Sequence, residues 1–522
     1  MNTAIALPKP EYHAAKPSKP ASGAGSAMLL AGRLLSLLLN VAVQVLVVRY
    51  FSKLDYGAFA FALSIVSVSA TALALGMDKT LGRYVAIYHQ NRDLPKLCGS
   101  ICVALALISL LGCVSVGCVG LAGLVFGVPL LGDGLASGLL LVLILLAPLN
   151  ALDSVVVALF GVFASPASIV WRRHVVGPLL KLGSVVLVIV MAGNIYWLAA
   201  GHALAVGLGA VLGVLLLARL LRRDEALSNA LHVRWEYPTG ELLSHSLPLM
   251  STDVVMLLRS SMAIIFLEFL NGNAAVAEYR AVLPFARLNE VVVTTLAVLF
   301  IPAASRFFAR QDGRAINSMY WHTASAVAVL SFPIFAATFV LAEPLTVLLL
   351  GEQYRTSATV LGILALAYYI HTSLGFNSQM LRVYGRIRVV VITDVVAAGL
   401  AFLGYVLLIP LYGPLGAALA TAGSLVLHNL LNQLWLVRTT DVAFFDAGYV
   451  ATLTSIVLAT FLLIGTQHAL TLPIGASLGL TALVSLVVLV WNRQALELDA
   501  TFPSLARFNL FSRRFRSPAS RH

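Results

Sequence analysis

The stretch LCGSICVALALISLLGCVSVGCVGLAGLVF, residues 97–126, contains 30 consecutive residues without one charged side chain. A helix rises about 1.5 Å per residue, so this stretch exceeds the roughly 20 residues that cross a bilayer. Similar apolar blocks recur along the chain, which is 60% hydrophobic and only 11% charged, against about 25% charged residues in an ordinary soluble domain. Such blocks predict membrane-spanning helices and exclude the alternating strands of an outer-membrane barrel.

The apolar blocks predict an all-α integral membrane protein with about fourteen transmembrane helices. A turn or a polar segment separates each block from the next. We expect the helices over residues 27–51, 57–75, 97–126, 138–164, 174–192, 195–220, 245–270, 275–304, 318–349, 358–381, 389–410, 414–437, 448–467 and 472–491.

A long polar break separates the first six predicted helices from the other eight and indicates two bundles. An internal repeat supports this division, because Leu54–Ala60 (LDYGAFA) and Val276–Ala281 (VAEYRA) both place an acid and a Tyr at the start of a helix. We therefore expect a disordered cytoplasmic tail (1–26), an N-terminal six-helix lobe (27–221), a cytoplasmic linker (222–244), a C-terminal six-helix lobe (245–437), two additional transmembrane helices (438–492) and a basic cytoplasmic tail (493–522).

The 34 Lys and Arg residues are distributed unevenly. By the predicted spans, 26 lie in one set of loops and tails, and only Lys53 and Arg355 lie on the opposite side. Because short cytoplasmic loops are enriched in Lys and Arg, both termini are predicted to be cytoplasmic. The same rule explains the net charge of +12, so no nucleic-acid partner is expected. The other six cations lie inside apolar blocks: Arg33, Arg49, Lys181, Arg259, Arg280 and Arg287.

A charge at bilayer depth is costly and commonly marks a transport pathway or a ligand contact. In the first helix, Arg33, Asn40 and Gln44 stand at offsets of 0, 7 and 11 and so form one polar stripe. We predict that this stripe lines a cavity. The alternative is that Arg33 reaches the cytoplasmic surface while the two amides bridge neighbouring helices. Arg49 and Lys181 are as well explained by anchoring as by function.

Three further arginines are predicted to line a cavity. Arg280 and Arg287 share a face of the eighth helix, although an ion pair between Arg287 and Glu290 is a structural alternative. Arg259 lies near the middle of the seventh helix, too deep to reach water easily. A planar guanidinium binds phosphate through two hydrogen bonds and stays charged at physiological pH. Arg259 is therefore the first candidate for contact with an anionic ligand.

Intramembrane carboxylates are the candidates for ion coupling. Asp253 and Glu290 are foremost, and Asp153 and Asp394 are further candidates for a group that titrates with a coupling ion, H⁺ or Na⁺. Hydroxyl or amide partners on neighbouring helices would satisfy these carboxylates equally well. His371 and His428 are interpreted as hydrogen-bonding groups between helices.

Several enzyme classes find no support in the sequence. The phosphate-binding pattern G-x-x-x-x-G-K-[ST] is absent, and Cys98, Cys102, Cys113 and Cys118 lack zinc-site spacing. The predicted external connections are too short to form a catalytic domain. We expect no catalytic site, no metal and no cofactor.

Three segments resemble bacterial polysaccharide and O-antigen flippases, a branch of the multidrug/oligosaccharidyl-lipid/polysaccharide exporter superfamily. VVRYFSKLDYGAFAFALS (Val47–Ser64) and ALGMDKTLGRYVA (Ala74–Ala86) are similar to the opening helical hairpin of that family. IPLYGPLGAALATAGS (Ile409–Ser424) is similar to the turn between its eleventh and twelfth helices. The resemblance extends over most of the chain, and fourteen helices fit this branch.

This resemblance implies two six-helix lobes that face each other across a central cavity, in the bacterial inner membrane. It also implies that an undecaprenyl-diphosphate-linked oligosaccharide is moved from the cytoplasmic to the periplasmic leaflet by alternating access, for surface polysaccharide synthesis. Implied partners are this lipid-linked substrate, the surrounding membrane lipids, a coupling ion, and the polysaccharide polymerase and chain-length machinery. The alternatives are an ion-coupled multidrug exporter of the same superfamily and a membrane polysaccharide polymerase.

Overall fold

The computed structural model describes residues 23–126, 134–163, 170–223, 234–470 and 472–496. These residues form helices joined by short turns, and none of them lies in a β-strand. The predicted tails (1–26 and 493–522) lie mostly outside the described residues, as does the middle of the predicted linker (222–244). The predicted disorder of residues 1–26 stays a prediction.

Fourteen segments, labelled here in chain order, correspond one to one to the predicted helices. Some consist of two or three consecutive helices. They are α1 (Gly23–Tyr50), α2 (Lys53–Ala74 and Met77–Gln90), α3 (Leu94–Phe126), α4 (Gly134–Leu143 and Leu146–Phe163), α5 (Val170–Val176 and Gly177–Val190), α6 (Ile195–Arg223), α7 (Thr239–Asn271), α8 (Asn273–Ala286, Arg287–Glu290 and Val291–Ala309), α9 (Gly313–Phe339), α10 (Ser357–Ser373 and Asn377–Val383), α11 (Ile387–Tyr412), α12 (Pro414–Thr439), α13 (Ala447–Leu470) and α14 (Ile474–Trp491).

Thirteen of these segments are long and apolar enough to cross a membrane, as far as the described residues show. The remaining one, α7, is a helix of 33 residues, so the structure agrees with about fourteen spans. A short helix, Ala342–Leu350, connects α9 to α10. Contacts group α1–α6 into an N-terminal lobe and α7–α12 into a C-terminal lobe. The residue boundaries of the predicted domains remain predictions.

Two stretches that the sequence places in loops are helical. Met77–Gln90 continues α2 after a break, because Leu75 and Gly76 adopt φ angles of 49° and 69°. A Cβ at residue 76 would lie 2.7 Å from the Ser246 carbonyl oxygen, so only glycine allows this close approach. Helix α7 begins at Thr239, inside the predicted linker. Both stretches contain charged residues, and for this reason the sequence predicts loops there.

The lobes contact each other mainly through α2, which packs against α7 and the first helix of α8. Near the start of α2, a Cβ at Gly57 would lie only 1.8 Å from the Asn273 carbonyl oxygen. The two backbones therefore touch where the two copies of the internal repeat begin. Both repeat tyrosines, Tyr56 and Tyr279, are buried at this junction.

The two C-terminal helices pack on the C-terminal lobe. Helices α13 and α14 both contact α9. Ile456 and Val488 belong to one buried apolar cluster with Phe332 and Phe335 of α9. The connection after α12 is tied to α9 as well, because the Trp321 indole donates to the Ala443 carbonyl at 3.2 Å.

Candidate functional site

A central cavity of about 910 Å³ lies between the two lobes. The N-terminal lobe contributes α2 and α4 to its wall, and the C-terminal lobe contributes α7, α8, α10, α11 and α12. The charged and imidazole side chains in its lining are Asp78, Asp253, Arg287, Glu290, His371, Arg382, Asp394 and His428.

A break in α8 places two of these side chains in the cavity. Pro284 has no N–H and so interrupts the hydrogen bonding of the first helix of α8. The chain then forms a 3₁₀ turn at Arg287–Glu290 before the helix resumes. Irregular backbone at membrane depth is tolerated where it lines a cavity. The break thus aims Arg287 and Glu290 at the cavity, as the sequence predicts for a lining role.

The Arg287 side chain is exposed to the cavity, and its contacts with Tyr368 hold it in place. Its Nε donates to the Tyr368 hydroxyl at 3.0 Å, and its guanidinium carbon lies 5.8 Å from the Tyr368 ring centroid. One hydrogen bond to a neutral partner leaves the other N–H donors of a guanidinium for a ligand. Arg287 is therefore held in place as a cation on the cavity wall.

Three of the four predicted coupling carboxylates line the same cavity. Asp253 forms an ion pair with Lys79 of α2, which joins the two lobes. Glu290 Oε1 lies 3.9 Å from His371 Nε2, and Asp394 Oδ1 lies 2.9 Å from His428 Nε2.

Both histidines also contact amides of α12. His371 Nδ1 lies 2.9 Å from Asn429 Nδ2, and His428 Nε2 lies 3.0 Å from Asn432 Nδ2. The first contact joins α10 and α12, as predicted for His371, whereas the second lies within α12. The two imidazole rings, 6.0 Å apart, stand between carboxylates and amides. A proton or a small cation binding here would contact several titratable groups at once.

The charge balance of the central cavity differs from the predicted cationic lining. Its described lining holds four carboxylates but only two arginines, Arg287 and Arg382. Arg280, which shares a predicted face with Arg287 but stands about two helical turns before it, is not among the described lining residues of this cavity. The side chain of Arg259 lies outside what the structure describes.

The predicted polar stripe of α1 is divided among three places. The Arg33 guanidinium donates to the Thr294 carbonyl of α8 at 3.4 Å. The Gln44 amide donates to the Tyr56 hydroxyl at 2.7 Å and to the Ala281 carbonyl at 3.4 Å. Asn40 lines the second cavity, described below. The Gln44 amide bridges α1 to α2 and α8, which was the alternative interpretation for this residue. Arg33 contacts α8 as well, and neither Arg33 nor Gln44 is among the described lining residues of the central cavity.

A second cavity of about 710 Å³ lies inside the N-terminal lobe, among α1, α4, α5 and α6. Its lining includes Asp153 and three cations, Arg172, Arg173 and Lys181. Asp153 pairs with Arg172. Both arginines lie between the predicted helices 138–164 and 174–192, where the sequence predicts a cytoplasmic loop, but in the structure they belong to a π-helical turn, Val170–Val176. Such turns occur frequently at functional sites.

Contacts between the lobes close the predicted external end of the central cavity. Lys53 Nζ of α2 lies 2.7 Å from Glu278 Oε1 of α8, and the Thr356 hydroxyl donates to the same carboxylate oxygen at 2.9 Å. Arg49 of α1 donates to the Leu348 and Leu349 carbonyls of the short helix Ala342–Leu350, so it also joins the two lobes. The cavity lining reaches Asp78 and Arg382, near the predicted cytoplasmic ends of α2 and α10.

A second ion-pair group at that end lies within the C-terminal lobe. Arg355 contacts Glu352 at 2.6 Å and Glu343 at 2.9 Å. The hydrogen bond from Arg355 lowers the pKa of the Glu352 carboxyl. This group does not cross between lobes, which distinguishes it from the Lys53–Glu278 pair.

Several solved structures described as flippases or transporters align with this chain. A structure described as lipid II flippase MurJ in an inward closed conformation aligns with a TM-score of 0.69 and 15% identity, over 90% of this chain and 100% of that one. An inward-facing multidrug resistance MATE family transporter of the MOP superfamily aligns at 0.64 and 18% identity, over 79% and 97%. An outward-facing structure of such a transporter aligns at 0.55 and 16% identity, over 79% and 93%. At these identities the likeness establishes the fold alone.

A search of curated proteins gave no match. The family described as polysaccharide biosynthesis protein matches residues 22–308 of the 522, which is more than half of the chain and includes all of the N-terminal lobe. Together with the two six-helix lobes around a central cavity, this match shows that the chain belongs to the polysaccharide biosynthesis protein family and has the fold of MOP-superfamily flippases and transporters.

Proposed function

We propose that the protein is a flippase that moves an undecaprenyl-diphosphate-linked oligosaccharide from the cytoplasmic to the periplasmic leaflet of the bacterial inner membrane. The membership in a polysaccharide biosynthesis family supports a lipid-linked sugar as the substrate class. Alternating access of the two lobes would expose the central cavity first to one side and then to the other.

The central cavity between the lobes carries this proposal. It is lined by hydroxyls, amides and charged groups, among them Ser67, Asn150 and Gln379, which suit a hydrated oligosaccharide. Arg287 supplies a fixed cation on the pathway. The lipid tail would stay in the bilayer while the polar headgroup crosses between the lobes, because only the headgroup is expensive to place in hydrocarbon.

An ion-coupled multidrug exporter is the second candidate, and one observation favours it. Four carboxylates line the central cavity against two arginines, and carboxylates suit cationic drugs better than they suit a diphosphate. In the flippase the same carboxylates would act on the coupling ion, with Asp394 beside His428 and Glu290 beside His371.

A strain that lacks the gene separates the two candidates. The flippase predicts that lipid-linked oligosaccharide accumulates on the cytoplasmic leaflet and that surface polysaccharide is lost, with unchanged resistance to cationic drugs. Normal polysaccharide together with increased drug sensitivity would establish the exporter instead. Unpolymerised repeat units on the periplasmic side would indicate a polymerase.

Complementation of this strain tests the site. Arg287→Ala is expected to lower polysaccharide export at least tenfold, because loss of a charge-assisted hydrogen bond costs about 1.5–3 kcal/mol. Arg280→Ala is the matched control on the same segment, since Arg280 lies outside the cavity lining. Arg259→Ala tests the remaining predicted arginine. Normal export by Arg287→Ala at normal protein level would refute the role of Arg287.

A further inference from the structure

The second cavity, inside the N-terminal lobe, has the opposite charge balance from the central one. Its lining holds three cations and two carboxylates, Asp153 and Asp78. The central cavity holds two arginines and four carboxylates. A phosphate-bearing group approaching both cavities is therefore attracted more strongly by the cavity inside the lobe.

One of the three cations is immobilised by its neighbours. Arg172 pairs with Asp153, and its guanidinium carbon stacks 5.2 Å from the Phe160 ring centroid. A Cβ at residue 213 would lie 2.6 Å from two of its nitrogens, so Gly213 of α6 leaves the room that the guanidinium fills. The opposite charges of Arg172 and Asp153 neutralise each other, and their contacts hold both side chains in fixed positions in the cavity wall.

The other two cations, Arg173 and Lys181, carry the excess charge. Neither forms a salt bridge or a hydrogen bond with a carboxylate among the described side chains. They stand eight residues apart on one segment, roughly 12 Å along the helix, and both line the same cavity. Their long, flexible side chains can converge on one anion from two sides. Ser36 and Asn40 of α1 add polar groups to this lining.

This cavity is connected with the transport pathway. Asp78, Asn150 and Ser154 line both cavities, so the two share a wall built from α2 and α4. Arg173 lies near the end of α5 that is predicted to be cytoplasmic. An anion held here would thus stand beside the central cavity and on the side from which a cytoplasmic substrate enters.

We propose that the cavity inside the N-terminal lobe is a binding site for a lipid phosphate or diphosphate, held by Arg173 and Lys181. This proposal rests on the proposed flippase function and deepens it, because it separates the site that recognises the phosphate from the central cavity through which the sugars pass. The Arg172–Asp153 pair positions the wall of the site and does not itself bind the anion.

The test is direct binding by the purified full-length protein in nanodiscs of neutral lipid. The probes are undecaprenyl diphosphate, undecaprenol as the probe without phosphate, and phosphatidylglycerol. The double variant Arg173→Gln with Lys181→Gln is expected to bind undecaprenyl diphosphate roughly tenfold to a hundredfold more weakly, while binding of undecaprenol does not change. Arg173→Lys with Lys181→Arg keeps both charges and is expected to bind within threefold of the original protein.

The outcomes answer two questions: whether the site exists, and which phosphate-bearing lipid it binds. Weaker binding of undecaprenyl diphosphate alone supports a substrate site, and equal weakening for phosphatidylglycerol supports a site for lipid phosphate in general. Unchanged binding of undecaprenyl diphosphate and phosphatidylglycerol by the double variant would overturn the proposed phosphate site. The proposed flippase function would not be affected by that result, because the complemented strain tests it separately. If the double variant does not fold, the single Arg173→Gln variant, at an exposed side chain, is expected to weaken binding and decides in its place.

Discussion

Replacing Glu278 with Gln tests whether the lobes are held together at their predicted external end. Lys53 and Glu278 come from different lobes, and their charged atoms lie 2.7 Å apart. In a conformation that opens to this side, α2 and the start of α8 would separate and both charges would be hydrated. The variant should therefore destabilise the closed conformation without changing the open one.

The exposure of the pair sets the magnitude. Both side chains are 23% exposed, so the pair lies between exposed pairs, worth up to about 1 kcal/mol, and buried pairs, whose breakage costs about 3–5 kcal/mol. The side-chain oxygen of a glutamine still accepts a hydrogen bond from the Thr356 hydroxyl. The closed conformation therefore loses about 2 kcal/mol of stability relative to the open one. This loss changes a two-state ratio by about 30-fold. A conformation populated at about 1% would rise to about a quarter of the molecules.

Spin labels at exposed positions on the external ends of two segments, Met191 of α5 and Leu411 of α11, report the separation of the lobes. In Glu278→Gln, a second and longer distance should appear in pulsed electron paramagnetic resonance. Arg355→Gln is the matched control, because its ion pairs with Glu343 and Glu352 stay inside one lobe. Exchanging the charges, Lys53→Glu with Glu278→Lys, should restore the single distance.

Two results would refute the reasoning. If Glu278→Gln leaves the distance distribution unchanged, the pair does not hold the lobes together. If Arg355→Gln produces the same longer distance, the effect comes from the general loss of charge at this surface and not from a link between lobes.

Two further predictions concern the lobe junction and ion coupling. Gly57→Ala should destabilise the closed protein by about 1–3 kcal/mol, because the added Cβ meets the Asn273 backbone. The readouts are a lower melting temperature and easier labelling of a cysteine introduced beside this junction. Gly82→Ala, with open space around it, should show neither effect. Asp394→Asn removes the carboxylate beside His428. It should therefore abolish most of the dependence of export on the ion gradient in proteoliposomes. Asp312→Asn is the control, because asparagine keeps the helix N-cap, and it should leave that dependence intact.

The sequence predicts the number of helices and the two lobes because apolar length is a local property. It also singles out Arg287, Glu290, Asp253 and Asp394, because intramembrane charges need a wet or paired environment, and the structure places all four on one cavity. It misses Arg172 and Arg173 because a polar segment between two apolar blocks has the composition of a loop. In the structure both residues are helical, and Arg172 packs against Gly213 and Phe160.

The position of a side chain relative to the neighbouring segments is the quantity that the sequence does not supply here. The helix that carries Arg280 is continuous up to Ala286, yet Arg287 lines the central cavity and Arg280 is not among its described lining residues. Seven residues separate the two by about 10 Å along the axis, so a shared face does not place them at the same depth. In α1, also a continuous helix, Asn40 faces one cavity while Arg33 and Gln44 contact α8.

Interrupted helices and cavity-lining charges occur together in this protein for a physical reason. The 3₁₀ turn of α8, the π-helical turn of α5 and the second helix of α10 all carry cavity-lining residues. A continuous apolar helix can satisfy its own backbone in hydrocarbon, but an interrupted one frees carbonyl and amide groups that need water or a polar partner. A hydrated cavity solvates these backbone groups and also the charged side chains of Arg287 and Arg173. It thereby removes both the cost of unpaired backbone groups and the cost of charges in hydrocarbon. In the proposed flippase, the interruptions would therefore mark the route of the polar headgroup along both cavities.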